Sequence, residues 1–184
     1  LSMERQGGGL YDRFRHRVMI PIADEKGRIV GFGGRVLDDS KPKYLNTKET
    51  VLFNKRRLLF GLDRSHQAIR QAGYVIIVEG YMDAISVFDA GVKNVVASLG
   101  TSFTAEHCKK LLRYCKRFFF CYDSDEAGQN ATIRALSIVR DSGAEVRVIV
   151  VPDGKDPDEF IRKHGADAFR VLTEKALDFS QKEK

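Results

Sequence analysis

None of the chain's apolar runs approaches the roughly 18 residues that a bilayer-crossing helix requires. Its first residues, Leu1-Ser2-Met3-Glu4, lack the apolar stretch of a signal peptide, so neither membrane insertion nor secretion is expected. Cysteine is scarce. Cys108, Cys115 and Cys121 are odd in number and lack CxxC spacing, which argues against a disulfide framework or a zinc site and fits small buried thiols in a reducing cytosol. His16, His66, His107 and His164 share no ligand spacing and are given no role. Internal repeats, low-complexity tracts and Pro/Ser-rich linkers are missing as well. What remains is an ordinary globular composition, 43% hydrophobic and 30% charged in 184 residues, enough for one good core or two small ones.

Charge is unevenly spread. The formal net charge is +6. Residues 1–72 hold 15 Lys or Arg against 8 Asp or Glu, and residues 73–184 hold 16 against 17, so the basic excess lies wholly in the first part. From Lys41 to Arg57 six cations face one acid, Glu49, beside Tyr44 and Phe53. Such a stretch suits a polyanion, although a charge run is often only a solvated face.

The pattern changes where the charge does. Val18–Ala23 and Arg28–Leu37 are β-rich runs parted by Asp24-Glu25-Lys26-Gly27, which reads as a hairpin. Asp39–Thr50 is polar and irregular. After Gly73, apolar strands at 74–78, 92–97, 117–122 and 145–151 alternate with helical stretches at 81–90, 104–116 and 126–142. Cys108, Leu111, Leu112 and Cys115 show the helical period most clearly. Gly73, Gly91 and Gly143 stand where helices end. Val75-Ile76-Ile77-Val78 is apolar throughout, as in a sheet covered on both faces, and Phe118-Phe119-Phe120 reads as sheet core. The tail from Asp158 reads as two short helices parted by Gly165, and Gly33-Gly34, lacking a phosphate-loop pattern, as a bulge or sharp bend.

In a parallel α/β sheet, ligands bind beyond the carboxyl ends of the strands. The acids fall there: Glu79 and Asp83 after the first strand, Asp123 and Asp125 after the third, and Asp153, Asp156 and Asp158 after the fourth. Taken singly, Asp123 and Asp125 could be helix caps, and Asp156-Pro157-Asp158-Glu159 has the form of a capped helix start. Glu79 is harder to explain so, because Glu is a poor cap and directly follows four apolar strand residues. Taken together, the three clusters would repel one another without a cation, and oxygen donors without His or Cys suit Mg²⁺ or Mn²⁺.

Glu79-Gly80-Tyr81-Met82-Asp83 followed by Asp123-Ser124-Asp125-Glu126-Ala127-Gly128 resembles the two signatures of the toprim domain, a lone Glu after one strand and DxD after a later one. Arg13-Phe14-Arg15-His16-Arg17, Gly31-Phe32-Gly33-Gly34-Arg35, Pro42-Lys43-Tyr44-Leu45-Asn46-Thr47 and Leu59-Phe60-Gly61-Leu62 narrow the resemblance to bacterial DnaG-type DNA primases. Val96–Thr101 and Pro152–Asp158 extend it over nearly the whole chain. The zinc-binding and helicase-binding domains that flank the core of such primases have no counterpart, so the chain reads as an excised part of that core.

The resemblance implies an α/β fold: a toprim domain, Rossmann-like, with a mainly parallel four-stranded sheet and helices on both faces, preceded by a small mixed α+β basic subdomain. It implies divisions at 1–72, 73–158 and 159–184, the last the start of a helical subdomain. It implies RNA primer synthesis from NTPs on single-stranded DNA in the bacterial cytoplasm, coupled to a replicative helicase through a domain outside this chain. Glu79, Asp123 and Asp125 would be the catalytic carboxylates and primary metal ligands, with Asp83, Asp156 and Asp158 in support. Arg35, Lys43 and Lys55 match basic positions used toward NTP phosphates and nucleic acid. A toprim-type nuclease and a binding fragment without turnover are the rival readings.

Overall fold

The computed structural model describes residues 2–179, which divide into two compact units that part between Asn54 and Lys55. The division falls one helix earlier than the boundary expected at 72/73. The first unit is all β among the described residues. A small hairpin pairs β1 (Ser2–Glu4) with β2 (Leu10–Asp12). A second antiparallel sheet runs β3 (Arg17–Ala23), β4 (Ile29–Val36) and β5 (Tyr44–Asn46) in that order. The β3–β4 hairpin is the expected one. Its Asp24 carboxylate accepts from the Lys26 and Arg28 N–H groups, and Gly27 takes φ 78°. Strand β5 lies inside the stretch read as irregular.

Gly33-Gly34 is not a bulge. Both residues pair regularly, with Ile20 and Met19, and the register shift lies at Ile22/Ala23 instead. Gly31 and Gly34 of β4 are needed for space: a Cβ on Gly34 would come within 2.7 Å of the Phe14 ring, and one on Gly31 within 2.4 Å of Phe53.

The second unit is built on a five-stranded sheet in the order β10-β9-β8-β6-β7. Strands β6 (Val75–Val78), β7 (Val95–Ala97), β8 (Arg117–Phe120) and β9 (Glu145–Val148) are parallel, and β10 (Leu177–Asp178) adds antiparallel to β9. Alternation divides the core of β6 cleanly: Val75 and Ile77 face one apolar cluster with Phe118 and Phe120, Ile76 and Val78 the other with Phe119 and Cys121. The helices are α1 (Leu62–Ala72), α2 (Tyr81–Asp89), α3 (Ala105–Leu111), α4 (Glu126–Arg140) and α5 (Pro157–Glu174).

Several elements are shorter than the pattern suggests. Strand β7 starts at Val95 rather than Val92, β9 stops at Val148, and α3 ends at Leu111 although Cys115 remains buried. Gly165 takes φ 83° inside α5 and parts it into the two expected pieces, while positions 180–184 of the expected tail lie outside the described residues. All three cysteines are buried and free, and burial pushes the Cys115 thiol up to about 11. Among the described residues no helix is long and apolar enough to cross a membrane.

Candidate metal and nucleotidyl-transfer site

The parallel strands of the second unit end at one pole, and three helices start there. Glu79 follows β6 directly and α2 starts two residues later. Asp125 caps α4, its Oδ1 accepting the Gly128 N–H at 2.8 Å, and Asp156 caps α5, its Oδ1 accepting the Glu159 N–H at 2.8 Å. Helix N-termini bring partial positive charge to this rim. Glu79 Oε1 accepts the Asp123 N–H at 3.2 Å and so ties the ends of β6 and β8 together. The Asp83 carboxylate accepts from Gly80 N–H at 3.2 Å and from the Asp158 backbone, which ties α2 to the start of α5.

Five of these carboxylates share one field. Burial, then Asp156 and Asp123, push Asp83 up to about 7. Burial, then Glu79, Asp156 and Asp125, push Asp123 up to about 6. Glu79 is raised by burial and by Asp125, against the Asp123 N–H that lowers it. Burial and mutual repulsion act on all three, and a divalent cation would reverse both.

Asp158 is engaged elsewhere: Ser86 Oγ donates to Oδ1, and Arg162 Nη2 lies 2.6 Å from Oδ2. Asp153 pairs with His164 at 2.9 Å and Lys163 at 3.5 Å on the surface, outside this set. Among the described residues no three His, Cys, Asp or Glu side chains already stand in metal-ligand geometry. The donor chemistry nonetheless fits a hard divalent ion, being all oxygen and mutually repelling.

Gly128 is the residue that motif reasoning quoted without a role. A Cβ there would come within 2.2 Å of the Asp123 carbonyl and 2.9 Å of Glu79 Oε1. A glycine in the first turn of a helix, where alanine is favoured, was the available signal. Ser98, whose Oγ donates to the Glu79 carbonyl at 3.2 Å, lies in the Val96–Thr101 stretch that extended the resemblance and was likewise given no role.

The basic residues fall in both units. In the first, Arg35 and Lys43 approach the Tyr44 ring to 5.9 and 5.7 Å, and Arg17 donates to the Pro42, Lys43 and Gly34 carbonyls, fixing that loop. Lys55 begins the second unit, where its carbonyl accepts from the buried His107 Nε2 at 2.9 Å. That contact gives His107 a structural part that spacing did not suggest.

Comparison with known proteins bears on the whole chain. The model for the DNA primase catalytic core, N-terminal domain, matches residues 1–66, and the Toprim-like model matches residues 76–161. The DNA primase of Clostridium acetobutylicum is 52% identical over 170 residues, 91% of this chain and 28% of that protein. The chain belongs to the bacterial DnaG-type primase family. Among primase structures, the zinc-binding and RNA polymerase domains of the Aquifex aeolicus enzyme superpose with a TM-score of 0.90 at 38% identity, covering 97% of this chain and 44% of that one. A DnaG primase catalytic domain bound to ssDNA superposes at 0.89 and 43% identity, covering 96% and 58%. The chain therefore spans less than a third of the length of the curated primases it matches.

Proposed function

We propose that this chain carries the nucleotidyl-transfer site of a primase that synthesises short RNA primers from NTPs on single-stranded DNA. The observation that carries the reading is the carboxylate rim of the toprim unit, where burial and neighbouring carboxylates raise Glu79, Asp83 and Asp123 above the ordinary carboxylate range. Glu79, Asp123 and Asp125 would hold Mg²⁺ or Mn²⁺, with Asp83 and Asp156 adding to their negative field and Asp158, held by Ser86 and Arg162, bracing the start of α5. Bound there, a divalent ion supplies charge neutralisation at the attacking and leaving oxygens of phosphoryl transfer. The chain's own contribution is position: the Glu79–Asp123 link fixes the separation of two strand ends, and Gly128 leaves the space that link occupies.

Arg35, Lys43 and Lys55 would contact phosphates of template or NTP, and Tyr44, flanked by Arg35 and Lys43, offers a ring on which a base can stack. Coupling to a replicative helicase would run through a domain outside this chain. Incubation of labelled NTPs with single-stranded template and Mg²⁺ or Mn²⁺ tests the reading. Dinucleotide product from the parent and none from Asp123→Asn is expected. Template cleavage without dinucleotide would assign a nuclease instead, and neither product would leave a binding fragment.

A further inference from the structure

The opposite pole of the toprim sheet holds a charged cavity. It has a volume of about 350 Å³ and is lined by Tyr74, Phe119, Arg117, Arg147, Arg170 and Glu174, with Val92 and Thr173 behind them. Tyr74 precedes β6 and Arg117 opens β8, so the cavity lies at the amino ends of strands whose carboxyl ends carry the acids. A four-residue strand separates the two poles by roughly 13 Å, at about 3.3 Å per residue.

Arg147 is out of place for a sheet residue. In Glu145-Val146-Arg147-Val148 the alternation turns Val146 and Val148 toward one apolar cluster, and Arg147 pairs in register with Phe119, which faces the other. Its guanidinium lies 5.6 Å from the Phe119 ring centroid, and its Nε is buried with no hydrogen-bond partner among the described residues. A buried guanidinium donor without an acceptor is rare and calls for one. Arg117 is fixed beside it, 5.7 Å from the Tyr74 ring and donating through Nε and Nη2 to the Gly73 and Ala72 carbonyls. Arg170 is anchored by Asp167 and the Ala90 carbonyl. Tyr74 and Phe119 stack at 4.5 Å and brace the floor.

Arg147, set against the Phe119 ring, keeps its N–H edges for in-plane acceptors, the geometry that phosphate oxygens match, while Arg117 and Arg170 are held in place by the carbonyls and carboxylate they already bond. Three arginines against Glu174 and the Asp167 carboxylate that pairs with Arg170 leave the cavity with an excess of positive charge, and its volume falls in the range of small-molecule sites. We propose that this cavity is a binding site for a diphosphate group, separate from the carboxylate rim and needing no metal. Free pyrophosphate and a nucleoside diphosphate share that chemistry.

Calorimetric titration of the chain with inorganic pyrophosphate, and separately with adenosine diphosphate, in EDTA tests this, because the chelator removes any metal-bridged binding at the acidic rim. Saturable binding of at least one probe is expected, and the tighter one identifies the source. Arg147→Met keeps the apolar stem over Phe119 and should weaken binding about tenfold, the scale of a charge-assisted hydrogen bond. Glu174→Gln, at an exposed position that folding tolerates, should tighten it about threefold, the scale of one exposed charge. Absence of saturable binding for both probes, or equal affinity in the parent and both variants, would overturn the proposal.

Discussion

At the scale of single residues, carboxylates that resist ionisation dominate the chemistry. In the unfolded chain Asp83 and Asp123 titrate near their ordinary 3.8, whereas the fold holds them at about 7 and about 6. Between those limits the folded chain keeps protons that the unfolded chain has released, so metal-free stability falls as pH rises from about 4 to about 7. Surface acids such as Asp153 and Glu159, whose partners lower them, change stability in the opposite sense and only toward more acidic pH. Urea unfolding in EDTA should therefore give lower stability at pH 8 than at pH 5, and saturating Mn²⁺ should close the gap. Because metal and proton compete for the same oxygens, Mn²⁺ affinity should climb through that window. Asp83→Asn, which removes an acid tied to Gly80 and Asp158, should cost about 10–100-fold in Mn²⁺ affinity, the usual effect of a supporting group, without lowering stability at pH 8.

At the scale of elements, the ends of β6 and β8 and the start of α4 form one unit around Gly128. Helix propensity alone would make Gly128→Ala stabilising by about 1 kcal/mol. The contact at 2.2 Å to the Asp123 carbonyl predicts the reverse: lower thermal stability and weaker Mn²⁺ binding, measured by melting and titration of one variant. Sequence carried the alternation of strands and helices well, because runs such as Val75–Val78 and the Cys108–Cys115 period are local signals. It carried α1 poorly, since Ser65 takes a buried position on its inner face and only Leu62 and Ile69 mark the period, leaving Gly73 as the sole legible end. It could not show that Asp158 is held by Ser86, a partner 72 positions away, or that Gly34 and Gly31 clear space for Phe14 and Phe53. Contacts between distant positions leave no periodic trace in a single sequence.

At the scale of the whole molecule, the β-rich unit and the α/β unit carry the same net charge, +3 each, and the acid rim is what sets the second apart. If Lys43 contacts a template phosphate, Lys43→Ala should weaken single-stranded DNA binding and flatten its log–log salt dependence by roughly 0.7, one counterion on a single strand. Lys109→Ala, which removes equal charge from the exposed side of α3, should leave the slope unchanged in the same anisotropy titrations. Equal loss at both positions would mean that only net charge matters.

The proposed divalent-metal site joins the strand ends that carry Glu79, Asp123 and Asp125. Electron paramagnetic resonance of free Mn²⁺, titrated with the parent, Glu79→Gln and Asp123→Asn at pH 8, measures it most directly. Saturable binding by the parent, weakened at least tenfold in each variant while melting temperature holds or rises, is the predicted result. Mn²⁺ affinity unchanged in both variants would contradict it.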